Sequence, residues 1–121
     1  MENKRVPEVT FKTREGDDEA IGGCNFIGGT WKDLTTDHYF KGKKVVLFSL
    51  PGAFTPICSS QQLPGYQEKY DEIKSLGIDE VYCISVNDAF VMSCWFRDQG
   101  ITNIKPIADG NGHFTLSLIH I

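Results

Sequence analysis

The chain has 121 residues, enough for one domain with a modest core, and its 40% hydrophobic and 23% charged content is that of an ordinary globular protein. A formal net charge of −4 argues against a nucleic-acid partner, because phosphates call for a basic face. The longest apolar stretch, Val45 to Leu50, stops at Pro51, far short of the ~20 residues a membrane span needs.

The first thirty residues are polar and glycine-rich and read as short strands and turns, with Val9 and Phe11 alternating against polar neighbours. Trp31 to Phe40 reads as a strand end followed by a helical turn capped near Thr36. Val45 to Leu50 is a continuous apolar run, the pattern of a strand buried on both faces at the centre of a parallel sheet. A helix is expected from about Pro64 to Leu76, with Gly77 as its stop. Val81 to Val86 is a second apolar run. Asn87 or Asp88 can cap a helix that runs through Gln99 and ends at Gly100. Ile104 to Ala108 is a third, shorter strand, followed by a turn at Asp109-Gly110-Asn111-Gly112. Strands alternating with helices predict a single α/β domain with a mostly parallel sheet flanked by helices.

Four cysteines, Cys24, Cys58, Cys83 and Cys94, lie 34, 25 and 11 residues apart, and none forms a Cys-x-x-Cys pair, so neither a zinc site nor a local dithiol is written here. The opening Met-Glu-Asn-Lys-Arg-Val-Pro has no apolar core of a secretory leader, and the expected location is cytoplasmic. In that compartment most thiols stay free, and most of those are small buried hydrophobes.

One segment departs from that default. Pro51-Gly52-Ala53-Phe54-Thr55-Pro56-Ile57-Cys58-Ser59 begins where a buried strand ends, the place where ligand crevices of open α/β sheets lie. Thr55 before Pro56 is a helix start, with the threonine as N-cap and proline at the first helical position. Cys58 then falls in the first turn, beside backbone amides and the positive end of the helix dipole, a setting that favours a thiolate nucleophile. A buried, inert cysteine at a helix start is the alternative from spacing alone.

The block Pro51-x-x-x-Thr55-x-x-Cys58 resembles the active-site motif of the peroxiredoxins, and the wider pattern is similar to the peroxiredoxin-5 (type II, atypical) subfamily. That pattern includes Leu63-Pro64-Gly65-Tyr66 and Ser85-Val86-Asn87-Asp88-Ala89-Phe90-Val91-Met92. The resemblance runs from about Val6 to Gly112 and implies a thioredoxin-like fold. It also implies a thiol-dependent peroxidase that reduces hydrogen peroxide and alkyl hydroperoxides through a cysteine sulfenic acid. On it, Cys58 attacks the peroxide, Thr55 orients it and Pro51 shields the sulfur. Glutathione with glutaredoxin, or thioredoxin, is the implied reductant, a homodimer the candidate assembly, and no metal or organic cofactor is called for. A redox-sensing or interaction module with a reactive cysteine and little turnover is the rival reading.

The remaining candidates read less sharply. Cys83 stands where similar plant enzymes place a resolving cysteine, but its place inside an apolar run favours simple burial. Cys94 shares an apolar helix face with Phe90, Val91 and Trp95 and reads as core, while Cys24 matches no family position. The histidines (His38, His113, His120) sit in no motif, and Glu15-Gly16-Asp17-Asp18-Glu19 reads as a solvated turn. Residues 113–121 resemble nothing in the family. Family members continue there with further strands, a helix and an arginine that pairs with the thiolate, so the chain is expected to be truncated, and Arg5, Arg14 and Arg97 match no position with that role.

Overall fold

The computed structural model describes residues 5–15, 19–22 and 25–119. Cys24, His120 and the middle of the acidic run at 15–19 lie outside them. Two antiparallel ribbons come from the glycine-rich start of the chain. β1 (Thr10–Glu15) pairs with β4 (Thr30–Thr35), and β2 (Glu19–Gly22) with β3 (Asn25–Ile27). A short helix α1 (Thr36–Phe40) leads into the main sheet, in which β5 (Val45–Ser49), β6 (Glu80–Ser85) and β7 (Lys105–Ala108) are parallel in the order β5-β6-β7. Between them run α2 (Leu63–Glu68), α3 (Tyr70–Ser75) and α4 (Ala89–Asp98), and α5 (His113–Ile119) follows β7. This is the α/β architecture expected from the alternation of apolar runs with helical segments, and it agrees with the thioredoxin-like fold that the family resemblance implies. Among the described residues no helix is long and apolar enough to cross a membrane.

The period of two along β6 divides the interior. Val81 and Cys83 point into one core with Phe48, Leu63, Met92 and Trp95, whereas Tyr82 and Ile84 point into the other with Phe11, Tyr39, Ile107 and Phe114. A central parallel strand must be apolar on both faces, and β6 is buried from Val81 to Ser85. The central place expected for the Val45 run belongs to β6 instead. β5 is packed on both faces, with Phe48 in the first core and Val45 and Leu47 against the second, but among the described residues its one partner in the sheet is β6. An apolar run reports covered faces and carries no information about strand neighbours, so the two positions look alike in sequence.

The helices show similar small departures. Asp88 caps α4, its Oδ1 accepting from Val91 N at 2.8 Å, as expected of Ser/Asp/Asn caps. Gly77 and Gly100 take φ of +91° and +67° at their helix ends. The helix expected from Pro64 to Leu76 is two helices, because the backbone leaves helical geometry at Lys69. Thr36 does not cap α1. Its hydroxyl donates to Pro7 O at 2.8 Å and accepts from Val9 N at 2.9 Å, tying the start of the chain to α1. Residues 113–119 form α5, whose Phe114 is fully buried, and Asp109 caps it by accepting from Phe114 N and Thr115 N.

Candidate active site

The end of β5 delivers the chain into a loop, Pro51 to Thr55, that folds back on the end of β6. Leu50 N still reaches Ile84 O at 3.2 Å, so the strand pairing persists up to the residue before the loop. Phe54, exposed, sits at φ +63°, a left-handed conformation that a side-chain-bearing residue adopts only where its surroundings hold it. Contacts on both sides of it supply that hold. Before it, Ala53 N donates to Asn87 Oδ1 at 2.9 Å, and after it Thr55 Oγ1 donates to Gly52 O at 2.7 Å. The second bond corrects the sequence expectation, since Thr55 does not cap the following helix with its side chain. Its hydroxyl proton closes the turn, and the Ser59 amide is satisfied by the Thr55 carbonyl at 3.0 Å.

Helical geometry is in place from residue 56, so Cys58 lies in the first turn as its spacing after Thr55-Pro56 predicts. That turn is wider than an α-helix. Cys58–Gln62 form a π-helical stretch in which Leu63 N bonds to Cys58 O, before α2 continues regularly. Such widened turns concentrate at functional sites, because each extra residue re-aims the side chains around it. Cys58 is 3% exposed and its thiol is free. The adjacent Ser59 accepts a hydrogen bond from the buried indole of Trp95, Nε1 to Oγ at 2.9 Å, which ties the cysteine turn to α4.

Cys83 lies on β6 in the same core as Cys58, fully buried and also free. Burial pushes its thiol up to about 12, and the neighbouring Cys58 adds to the shift. A thiol held that high stays protonated at neutral pH. Cys94 is buried and disulfide-bonded.

The structure thus places Pro51, exposed, at the loop's start, Thr55 at its end and Cys58 one helical turn on, with Cys83 in the core they share. His38 stacks edge-on against Tyr39, and His113 opens α5 with its N–H on Asn111 Oδ1. Arg14 lies over the Trp31 and Phe90 rings at 5.0 and 4.7 Å. Among the described residues no cluster of three metal-ligating side chains occurs. Sequence reasoning missed Ser85, Asn87 and Trp95 as parts of this region. The signal available for the first two was the polar Ser85-x-Asn87 at the end of an apolar strand, where crevices form.

The redoxin family matches residues 1–119. A peroxiredoxin of Rhizobium etli is 59% identical over 112 residues, covering 93% of this chain and 61% of that protein. The chain spans about half to three fifths of the length of the curated relatives it matches. Among solved structures, the 1-Cys peroxiredoxin of Plasmodium falciparum superposes with a TM-score of 0.83 at 38% identity, over 98% of this chain and 67% of that one. The reduced Prx3 of Vibrio vulnificus in complex with hydrogen peroxide gives 0.78 at 37% identity, over 95% and 63%. With a free cysteine in the first turn after the β5 loop, on a thioredoxin-like sheet, the chain belongs to the redoxin family and, within it, to the peroxiredoxins.

Proposed function

We propose that this chain carries the peroxide-reacting site of a thiol-dependent peroxidase, with Cys58 as nucleophile. The observation that carries the reading is a free Cys58 in a widened first helical turn, directly after a loop bent through Phe54 at φ +63°. Strain and π-turns of this kind persist where function requires them. The Cys58 thiolate attacks the terminal oxygen of the hydroperoxide. The S–O bond forms as the O–O bond breaks, and the leaving oxygen departs with a proton as water or alcohol. Sulfur is oxidised by two electrons to the sulfenic acid, and the peroxide is reduced by two. An external thiol then attacks the sulfenic sulfur, releasing water and forming a mixed disulfide, which a second thiol reduces.

In this reading Thr55 orients the peroxide and Pro51 shields the sulfur. The hydroxyl of Thr55 donates to Gly52 O, which leaves its oxygen lone pairs to accept from a hydroperoxide O–H. Near-complete burial of Cys58 favours small peroxides over bulky electrophiles. The Pro51–Ser59 and Ser85–Met92 blocks support placement in the peroxiredoxin-5, type II subfamily. Glutathione with glutaredoxin or thioredoxin is the proposed reductant, a cytoplasmic homodimer the proposed form.

The test is mass mapping of dimedone-labelled sulfenic acid after one equivalent of hydrogen peroxide, with Cys58→Ser as control. Label at Cys58 and its loss in the variant are expected. Label chiefly at another cysteine would remove the assignment. Stoichiometric oxidation without multiple turnover in the presence of thiol would favour the redox-sensing reading.

A further inference from the structure

We propose that Asn87 is the positioning residue for the Cys58 site, holding the Pro51–Thr55 loop in its reacting geometry through the Ala53 amide; the inference rests on the peroxidase reading above. Asn87 follows β6, and its side-chain oxygen accepts two hydrogen bonds, from Ala53 N at 2.9 Å and from Ser85 Oγ at 2.7 Å. A backbone N–H can only donate, so the atom facing Ala53 must be the amide oxygen. With the oxygen so placed, the hydroxyl of buried Ser85 donates to the same atom and adds a second tie.

The surroundings leave the amide little freedom. A side chain at Gly52 would meet Asn87 Oδ1 at 3.9 Å and Thr55 Cγ2 at 3.4 Å, so the loop backbone lies close over the amide. The turn after β7 lies beside the Asn87 backbone, where a Cβ added at Gly110 would stand in ordinary contact, 3.5 Å from Asp88 Cα and 3.6 Å from Asn87 O. The Ser85 carbonyl accepts from both Asn87 N at 2.9 Å and Asp109 N at 3.0 Å, joining the ends of β6 and β7 beneath it. Asn87 is therefore clasped between the two loops that leave β5 and β7.

What it holds is the residue before the strained one. Phe54 at φ +63° would relax toward an ordinary conformation if Ala53 were released, and Thr55 and Cys58 follow within one turn. The hydrogen bonds of Asn87 go to Ala53 and Ser85, and not to Cys58 or Thr55. Its effect is on where the Thr55 hydroxyl and the Cys58 sulfur stand relative to the peroxide, and misplacement of order 1 Å can cost about 100-fold in rate.

The experiment takes two plateau rates, each read from its own pH–rate profile. One is sulfenic acid formation at Cys58 with hydrogen peroxide, the other is alkylation of Cys58 by iodoacetamide, which needs no orienting hydroxyl. Asn87→Leu, similar in size but unable to accept, is expected to slow the peroxide reaction about 10- to 100-fold and to leave alkylation unchanged or faster. Asn87→Asp, whose carboxylate can accept both bonds, is expected to recover most of the peroxide rate. Should Asn87→Leu not fold, Ser85→Ala carries the same comparison, with a smaller loss of peroxide rate and no loss of alkylation. An unchanged peroxide rate, a parallel fall of both rates, or an Asn87→Asp variant as slow as Asn87→Leu would overturn the proposal. A wild-type chain that forms no sulfenic acid at Cys58 would instead remove the peroxidase reading itself.

Discussion

Trp95 and Ser59 are joined across 36 residues of sequence by a 2.9 Å hydrogen bond from the indole Nε1 to the serine hydroxyl. The indole is fully buried, so this bond satisfies a donor that has no route to solvent, and it does so at the residue next to Cys58. Removing the acceptor strands the donor. Ser59→Ala is expected to cost about 1–3 kcal/mol of folding stability, with Ser59→Thr costing less because it keeps the oxygen. Urea unfolding followed by Trp fluorescence measures this. An alanine variant as stable as wild type would show that the bond contributes nothing.

Thr55 offers a separation of folding from chemistry. Thr55→Val keeps the shape and removes the hydroxyl, so the turn loses its bond to Gly52 O, worth about 0.5–1.5 kcal/mol. The rate with peroxide is expected to fall much further, on the order of 100-fold, the usual loss for one positioned polar group. Thr55→Ser should restore most of it. Stopped-flow measurement of the second-order rate checks both, and a valine variant with an unchanged rate would show that the hydroxyl does not act on the peroxide.

These residues also show where sequence was informative. Pro-Gly-Ala-Phe-Thr-Pro-x-Cys after an apolar strand located the loop, the helix start and Cys58, because strand hydrophobicity and proline placement are local properties. Asp88 and the glycines at 77 and 100 were legible for the same reason. The partner of a hydroxyl is not local. Thr36 bonds to residues 7 and 9, and Thr55 turns back to Gly52 instead of capping. Both depend on which backbone groups tertiary packing leaves nearby. The break at Lys69 and the π-turn at Cys58–Gln62 likewise have no glycine or proline at the position to mark them in sequence. The amide of Asn87 became meaningful only when the β5 loop was seen to lie on it.

Cys83 should leave a trace in the pH dependence of stability. Its thiol is pushed from an ordinary 9.0 up to about 12 in the folded chain, chiefly by burial. Between those values the folded state keeps a proton that the unfolded state has released, so stability is full below pH 9 and falls as pH rises toward 12. The contribution to the slope is at most about 1.4 kcal/mol per pH unit, the value for one proton. Cys83→Ala is expected to be less stable at pH 7, from the cavity it leaves, but to lose less stability between pH 9 and 11. Denaturant midpoints across that range measure it, and parallel curves for both proteins would contradict the shift.

The same burial bears on whether Cys83 resolves the oxidised Cys58. Cys83 sits on the central strand, paired with Phe48 of β5 on one side and Pro106 of β7 on the other, and is fully buried. A disulfide with Cys58 needs the thiolate as attacking species and Cα atoms within about 7 Å. At pH 7 a thiol held near 12 supplies almost no thiolate, and moving it means parting strand hydrogen bonds on both sides. The peroxide-treated chain is therefore expected to hold its sulfenic acid at Cys58 long enough to be captured by added glutathione. A Cys58–Cys83 disulfide should appear only slowly, at a rate that rises with mild urea as local opening becomes more frequent. Non-reducing mass mapping over time distinguishes the two. A disulfide that forms in native buffer as fast as the sulfenic acid decays, and that Cys83→Ser abolishes, would make Cys83 a resolving residue and show that the strand opens on the timescale of the reaction.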